Sequence, residues 1–360
     1  MPLIFALSFL ISSRYVGLLW GGSDDMASYF LAYENYKGLD SIVPVTLKYA
    51  KNLDFLFALY TYVVNQISDA HKFFYYFLTV FISLLLYTLF LSKYTSGKYV
   101  LFGLLLYMLF FKTFQLQWNV IRSSMAIPIL FLGISYSLHG KFKKGLFIYV
   151  IGTLVHGSTA ILLLPLFVIG KKLSQPIGVK RFLKLTLIGT GALAFVLAAL
   201  YFKGSYLWYK IITQQVELNV ANIVIFIIAL SISLPAVFSK DHVELSNILK
   251  YIIIIALAGF IFGKNFYRFA HPFLAFSPVA FIVYISSSKN YGVSAIYKYA
   301  YVIFCYFGFL YVLFLNQSQF YYLNGNNGFP GNYNGLQQVI LFLDYIERDI
   351  DYYNGYRLQI

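Results

Sequence analysis

Apolar residues in this chain come in long, nearly unbroken runs, not at the intervals of an amphipathic helix or the alternation of a half-buried strand. The runs lie near residues 3–20, 73–91, 99–117, 122–138, 145–170, 182–202, 219–238, 247–263, 268–287 and 297–316. A helix needs about 20 such residues to cross hydrocarbon, so the pattern predicts an all-α polytopic membrane protein with about ten transmembrane helices. Residues 53–68 (LDFLFALYTYVVNQIS) are apolar but shorter, which suits an interfacial or partly inserted helix. The last segment opens with the turn-rich NQSQFYYLNGNNGFPGNYNG and continues as GLQQVILFLDYIERDIDYY, a loop followed by a short amphipathic helix. The expected organisation is a transmembrane domain over 1–316, with a polar loop at 21–72, and a polar tail over 317–360.

Composition sharpens this picture, since 60% of residues are apolar and 11% charged, with a mean hydropathy of +0.72. No soluble core could hide that much apolar surface. The formal charge of +14 would suggest nucleic acid in a soluble protein. Here the cations gather in short loops at 92–98, 139–144, 170–184 and 288–298, the mark of cytoplasmic loops, and no nucleic acid is expected as a partner. The acidic stretch 21–54 then falls outside. The 34 Tyr and 37 Phe suit interfacial belts, and some could stack on sugar rings. Cys305, the single cysteine, lies in an apolar run, which leaves no disulfide framework and no cysteine metal site. The N-terminus shows no basic leader and no small-residue cleavage site, and it reads as a retained first helix.

The run at 145–170 has basic loops on both sides, so one crossing would export Lys171, Lys172, Lys180, Arg181 and Lys184. A re-entrant hairpin broken at His156-Gly157-Ser158 avoids that export and puts His156 at its tip, where irregular backbone implies a polar cavity. One long tilted helix is the alternative.

With the hairpin, five features converge on one extracytoplasmic surface: the 21–54 loop, the Gln115 to Arg122 segment, His156, the Lys264 to His271 turn and the tail. Arg122 interrupts the apolar stretch FQLQWNVIRSSMAIPILFLGISY, and such a charge costs roughly 2.5–3.5 kcal/mol at a helix centre in lipid, so it calls for a partner, a cavity or an anionic substrate. Asn119 is three residues from Arg122, and Lys264, Arg268 and His271 are spaced to share a helical face. Arginines from different helices suit capture of a phosphate or diphosphate. Simpler readings stand beside these. Arg14 and Arg268 could snorkel to headgroups, His156 could be a satisfied core histidine, and Asp24 and Asp25 could cap the helix that follows instead of acting as a general base. His71, His139 and His242 flank polar loops and read as bland.

These residues carry a resemblance: Arg14, Gly17, Asp24 or Asp25 and Tyr29; LDFLFALYTYVV; NVIRSSMA; a basic loop; then LVHGSTAILLLP. The arrangement resembles the EpsG family of Wzy-type polysaccharide polymerases over roughly residues 10–170, with Ser123 following Arg122 where the family commonly has glutamine. The resemblance implies a GT-C-like membrane glycosyltransferase at the outer face of a bacterial plasma membrane. It would join undecaprenyl-diphosphate-linked repeat units of O-antigen, capsule or exopolysaccharide by inverting transfer. Arg122, Arg268 and Arg14 would hold the diphosphate; Asp24, Asp25 or His156 would serve as base; Asn119, Tyr29, Lys264 and His271 would contact substrate. No cofactor and no metal is expected, since no His/carboxylate cluster with metal-ligand spacing appears. Expected partners are the lipid-linked glycans, membrane lipids and, as a further candidate, a chain-length regulator. A lipid-linked oligosaccharide flippase and a glycan acyltransferase are the alternative functions.

Overall fold

The computed structural model describes residues 1–13, 25–50, 54–69, 71–109, 120–175, 184, 187, 220–239, 242–259, 266–287 and 291–310. Among them the chain is all helical. The helices are α1 (Pro2–Ser12), α2 (Asp25–Asn35), α3 (Ile42–Tyr49), α4 (Phe55–Ser68), α5 (Lys72–Leu91), α6 (Lys98–Leu109), α7 (Ile121–Leu138), α8 (Phe142–Val155), α9 (Gly157–Ile169), α10 (Val220–Val237), α11 (Val243–Ala258), α12 (Phe266–Ser287) and α13 (Tyr291–Leu310). Short 3-10 turns cover Leu39–Ser41 and Gly170–Ser174. Several apolar runs become helices almost at their expected limits, α5, α7, α10 and α12 most closely. By length and composition three helices among the described residues can cross a membrane: α5, α7 and the Phe269–Ser286 part of α12. Pro2–Ser12, Phe55–Ser68, Lys98–Met108, Gly157–Ile169 and Phe226–Val237 are shorter apolar helices. Most of the run at 182–202 and the whole tail at 317–360 lie outside the described residues.

Two readings were open for 145–170, and ring contacts decide between them. Phe142 begins α8 and Phe167 nearly ends α9, yet their rings are 5.4 Å apart; a straight helix would hold them roughly 37 Å apart. The Tyr149 hydroxyl also donates to the Ala160 carbonyl at 2.5 Å. The chain therefore folds back, and the turn is His156, whose backbone is extended at φ −158°, ψ 94°.

The hairpin is held against α7 by backbones in near contact. A Cβ on Gly145 would lie 2.7 Å from the Gly133 carbonyl oxygen, and one on Gly133 would lie 3.0 Å from the Tyr149 nitrogen. Small residues are how helices approach when lipid offers no hydrophobic drive to associate. This approach lays α8 along α7 from its C-terminal end, so that the tip comes level with the start of α7.

α1 runs antiparallel to α5, with Phe9 against Phe73 at 5.7 Å and Phe5 against Phe77 at 5.0 Å. At one end of the bundle Lys93 and Lys144 both approach the Tyr136 ring, at 4.8 and 4.5 Å, and Asn247 donates to the carbonyls of Leu173 and Gln175 at 2.7 and 3.0 Å. Of the loops expected to share a membrane side, those at 92–98 and 139–144 thus meet at one end. α12 joins the bundle through Phe276, 4.8 Å from Phe131, and through Ala275, whose carbonyl accepts from the Tyr87 hydroxyl at 3.1 Å.

Candidate functional site

The opposite end carries the buried charge. α2 is seated there by the Tyr33 ring, which stacks on Tyr75 at 4.4 Å, and by Asn65, which donates to the Tyr33 carbonyl at 2.6 Å. The ion pair of Lys72 with Glu34 at 2.6 Å ties α2 to the start of α5. One turn before Tyr33, Tyr29 is buried, with its ring edge-on to Phe57 at 5.6 Å.

Arg122 lies in the first turn of α7, not at a helix centre. A cation there faces the positive end of the helix dipole and needs an anion nearby. Asp54 supplies it. Arg122 Nη1 donates to Asp54 Oδ2 at 2.6 Å, and Arg122 Nε donates to the Tyr29 hydroxyl at 2.8 Å. His156 Nδ1 lies 3.1 Å from the same Asp54 oxygen, and the Gly157 amide donates to Asp54 Oδ1 at 3.2 Å. Asp54 precedes the first residue of α4 but does not cap that helix with its side chain; it caps α9 instead. Three helix starts, those of α4, α7 and α9, therefore meet at one carboxylate. The side chains of Arg122, Asp54 and His156 keep 12, 13 and 15% exposure.

Burial alone would raise the pKa of Asp54. The hydrogen bond and charge of His156, then Arg122 and the Gly157 amide, outweigh it, and the carboxyl titrates below its ordinary value. A narrow cleft, about 260 Å³ of empty space including its mouth, runs beside the pair between Tyr29, Tyr36, Thr46, Phe57 and Tyr75.

A family model described as the EpsG family matches residues 3–325. The chain belongs to the EpsG family. Searches of curated proteins and of solved structures returned no match. EpsG membership, with the apolar helices, makes this a membrane protein with a polysaccharide-polymerase-like role.

Of the residues singled out in the sequence, this EpsG-family structure brings three together: Arg122, His156 and Tyr29. Tyr29 is engaged by its hydroxyl as well as its ring, which lies 5.3 Å from the Arg122 guanidinium carbon. His271 is buried within α12. Arg14, Asp24, Asn119 and Lys264, and the side chains of Asp25 and Arg268, lie outside the described residues. His71 caps α5, its Nδ1 accepting from the Phe74 amide at 3.3 Å, and His139 Nδ1 contacts the Ser135 carbonyl at 2.7 Å. Among the described residues no three His, Cys, Asp or Glu side chains cluster as metal ligands.

Sequence reasoning missed Asp54 and Ser158, whose hydroxyl lies 3.0 Å from His156 Nε2. A signal for Asp54 existed. It is the one acidic residue of LDFLFALYTYVV, placed immediately before an apolar helix, and an intramembrane arginine demands an anion.

Proposed function

We propose that this EpsG-family chain is a polysaccharide polymerase that joins undecaprenyl-diphosphate-linked repeat units at the outer face of a bacterial plasma membrane. The observation that carries the reading is the meeting of Arg122 and His156, from separate helices, at the Asp54 carboxylate. A glycosyl transfer from a lipid diphosphate needs a cation for the leaving group and a base for the acceptor, and here the two stand side by side. The donor's anomeric carbon is attacked by a hydroxyl at the non-reducing end of the acceptor, inverting that centre. Arg122 neutralises the departing diphosphate, assisted by Arg268 and Arg14 from their own segments. His156 receives the acceptor's proton, with Asp24 and Asp25 as the other carboxylates expected on that side. Asn119, Lys264 and His271 are assigned to substrate contacts, and the reaction is assigned no metal. In this reading the apolar helices complete about ten crossings in a GT-C-like arrangement, and the α8–α9 hairpin is re-entrant, its tip outward and the lysine-rich end in the cytoplasm. The tail at 317–360 lies outside.

The test is reconstitution of the full chain in vesicles with lipid-linked repeat units. The wild type should produce a ladder of longer glycans, and Arg122→Ala should leave single units only. A normal ladder from Arg122→Ala at equal protein levels overturns the assignment. A change of sidedness without lengthening would identify a flippase, and a mass change without lengthening an acyltransferase.

A further inference from the structure

His156 has both ring nitrogens engaged, by groups of opposite character. Nδ1 lies 3.1 Å from Asp54 Oδ2, and Nε2 lies 3.0 Å from Ser158 Oγ. An ionised carboxylate only accepts, so in the neutral imidazole the proton sits on Nδ1. Nε2 then keeps its lone pair, and the Ser158 hydroxyl donates to it. Asp54 is mostly buried while Ser158 is exposed. The protonated nitrogen therefore faces the protein and the basic nitrogen faces out.

We propose that Asp54 positions His156 with Nε2 as the proton-accepting atom of the transfer, and that the Ser158 hydroxyl holds the place an acceptor sugar hydroxyl takes on binding. The proposal rests on the polymerase reading above. A sugar hydroxyl and a serine hydroxyl present the same O–H donor to an imidazole, so the acceptor displaces Ser158 without leaving Nε2 unpaired. As the acceptor oxygen forms its bond to the anomeric carbon, its proton passes to Nε2. The bond from that carbon to the diphosphate oxygen breaks, and its electron pair departs with the phosphate. The imidazolium so formed faces the Asp54 carboxylate, which lowers the cost of forming it. Asp54 also holds Arg122, so one carboxylate fixes both the base and the cation for the leaving group. Asp54 and Ser158 are positioning residues; neither meets the anomeric carbon.

The full chain labelled with 15N-histidine reports the tautomer directly, with His156→Gln used to assign the signal. The wild type should show His156 protonated on Nδ1 at neutral to alkaline pH, and Asp54→Asn should move population toward protonation on Nε2. A wild type protonated on Nε2 overturns the Asp54–His156 pairing, whatever the polymerisation assay reads. In kinetics with lipid-linked units, Asp54→Asn should lower kcat by about 100-fold or more, since a positioned general base contributes roughly 10²–10⁴-fold. Ser158→Ala should lower the acceptor KM roughly three- to tenfold, the worth of one displaced hydrogen bond. An unchanged KM, or a kcat loss beyond 100-fold in Ser158→Ala, overturns the placeholder role; the second result would make the serine part of the chemistry. A wild type that lengthens no glycan overturns the polymerase reading and the acceptor placement together, and is told apart by a tautomer that still follows Asp54.

Discussion

At one end of the bundle Arg122 is largely withdrawn from water and divided between Asp54 and Tyr29. At the other, Lys93 and Lys144 stand exposed, both directed at the single ring of Tyr136. An exposed ammonium over a ring keeps its hydration and gains about 0.5–1 kcal/mol. A guanidinium taken from water into a helix start is unfavourable until a carboxylate meets it. The lysine end follows from charge bias alone and marks a membrane side. The Arg122 end holds more polar chemistry than stability requires, since a well-packed apolar replacement for a buried ion pair is often as stable. That surplus is what the proposed polymerase site accounts for.

The largest effect that would break this contrast is removal of one charge. Arg122→Ala leaves Asp54 buried beside His156 without its guanidinium, and breaking a buried pair in this way costs roughly 3–5 kcal/mol; some exposure here favours the lower part of that range. Thermal unfolding in detergent should show a clear drop in Tm. The double variant Arg122→Ala/Asp54→Ala should recover much of the Tm while making no polymer. A double variant no more stable than Arg122→Ala would mean that the orphaned carboxylate is not the cause.

Next in size is the scaffold that carries His156 to Arg122. Gly145→Val puts a branched side chain against the Gly133 carbonyl, where even a Cβ would lie at 2.7 Å. Overpacking of this kind costs about 1–3 kcal/mol, and separation of α8 from α7 should reduce polymer yield in parallel with Tm. Gly157→Ala makes a fair control, because a Cβ there meets nothing within 4 Å. Equal losses from both glycine variants would refute the α7–α8 contact as the positioning element.

Most of the helices were legible in the runs, because lipid demands uninterrupted apolar length and the chain supplies it at α5, α7 and α12. Arg122 and His156 were legible for the converse reason: each breaks a pattern with few exceptions. Asp54 was not, since an acidic residue ahead of an apolar helix is also what an ordinary cap looks like. Its identity as the partner depends on three helix starts meeting, which no local pattern encodes. The fold-back at His156 was visible only as a conflict between basic flanks and a single crossing, and the Phe142–Phe167 contact resolved it.

A smaller effect comes from pH. Asp54 is held below the ordinary carboxylate range by His156, Arg122 and the Gly157 amide, so the folded chain binds a proton there less readily than the unfolded chain. Its contribution to stability is complete above about pH 4, the unfolded value, and is lost as pH falls through the depressed folded value. Wild-type Tm should therefore decline more steeply on acidification below about pH 4 than that of Asp54→Asn, which has no proton to take up at this site. Parallel declines would mean that Asp54 is not held as the geometry indicates.

The smallest effect is expected at the lysine end, and it bears on what the contrast means. Lys144→Gln removes one exposed cation from the Tyr136 ring and leaves Lys93 in place, a loss of about 0.5 kcal/mol or less because each ammonium is already solvated. Tm should barely move and the glycan ladder should keep its length. A different measurement carries the information: cysteine accessibility at positions 93 and 144 in intact cells should place both lysines on the cytoplasmic side, opposite a probe at Ser158. Labelling of all three from the same side would undo the two-ended reading, because the hairpin tip and the basic loops would then share one face. A marked loss of polymer in Lys144→Gln would undo it differently, by showing that the lysine end also handles an anionic group in the reaction.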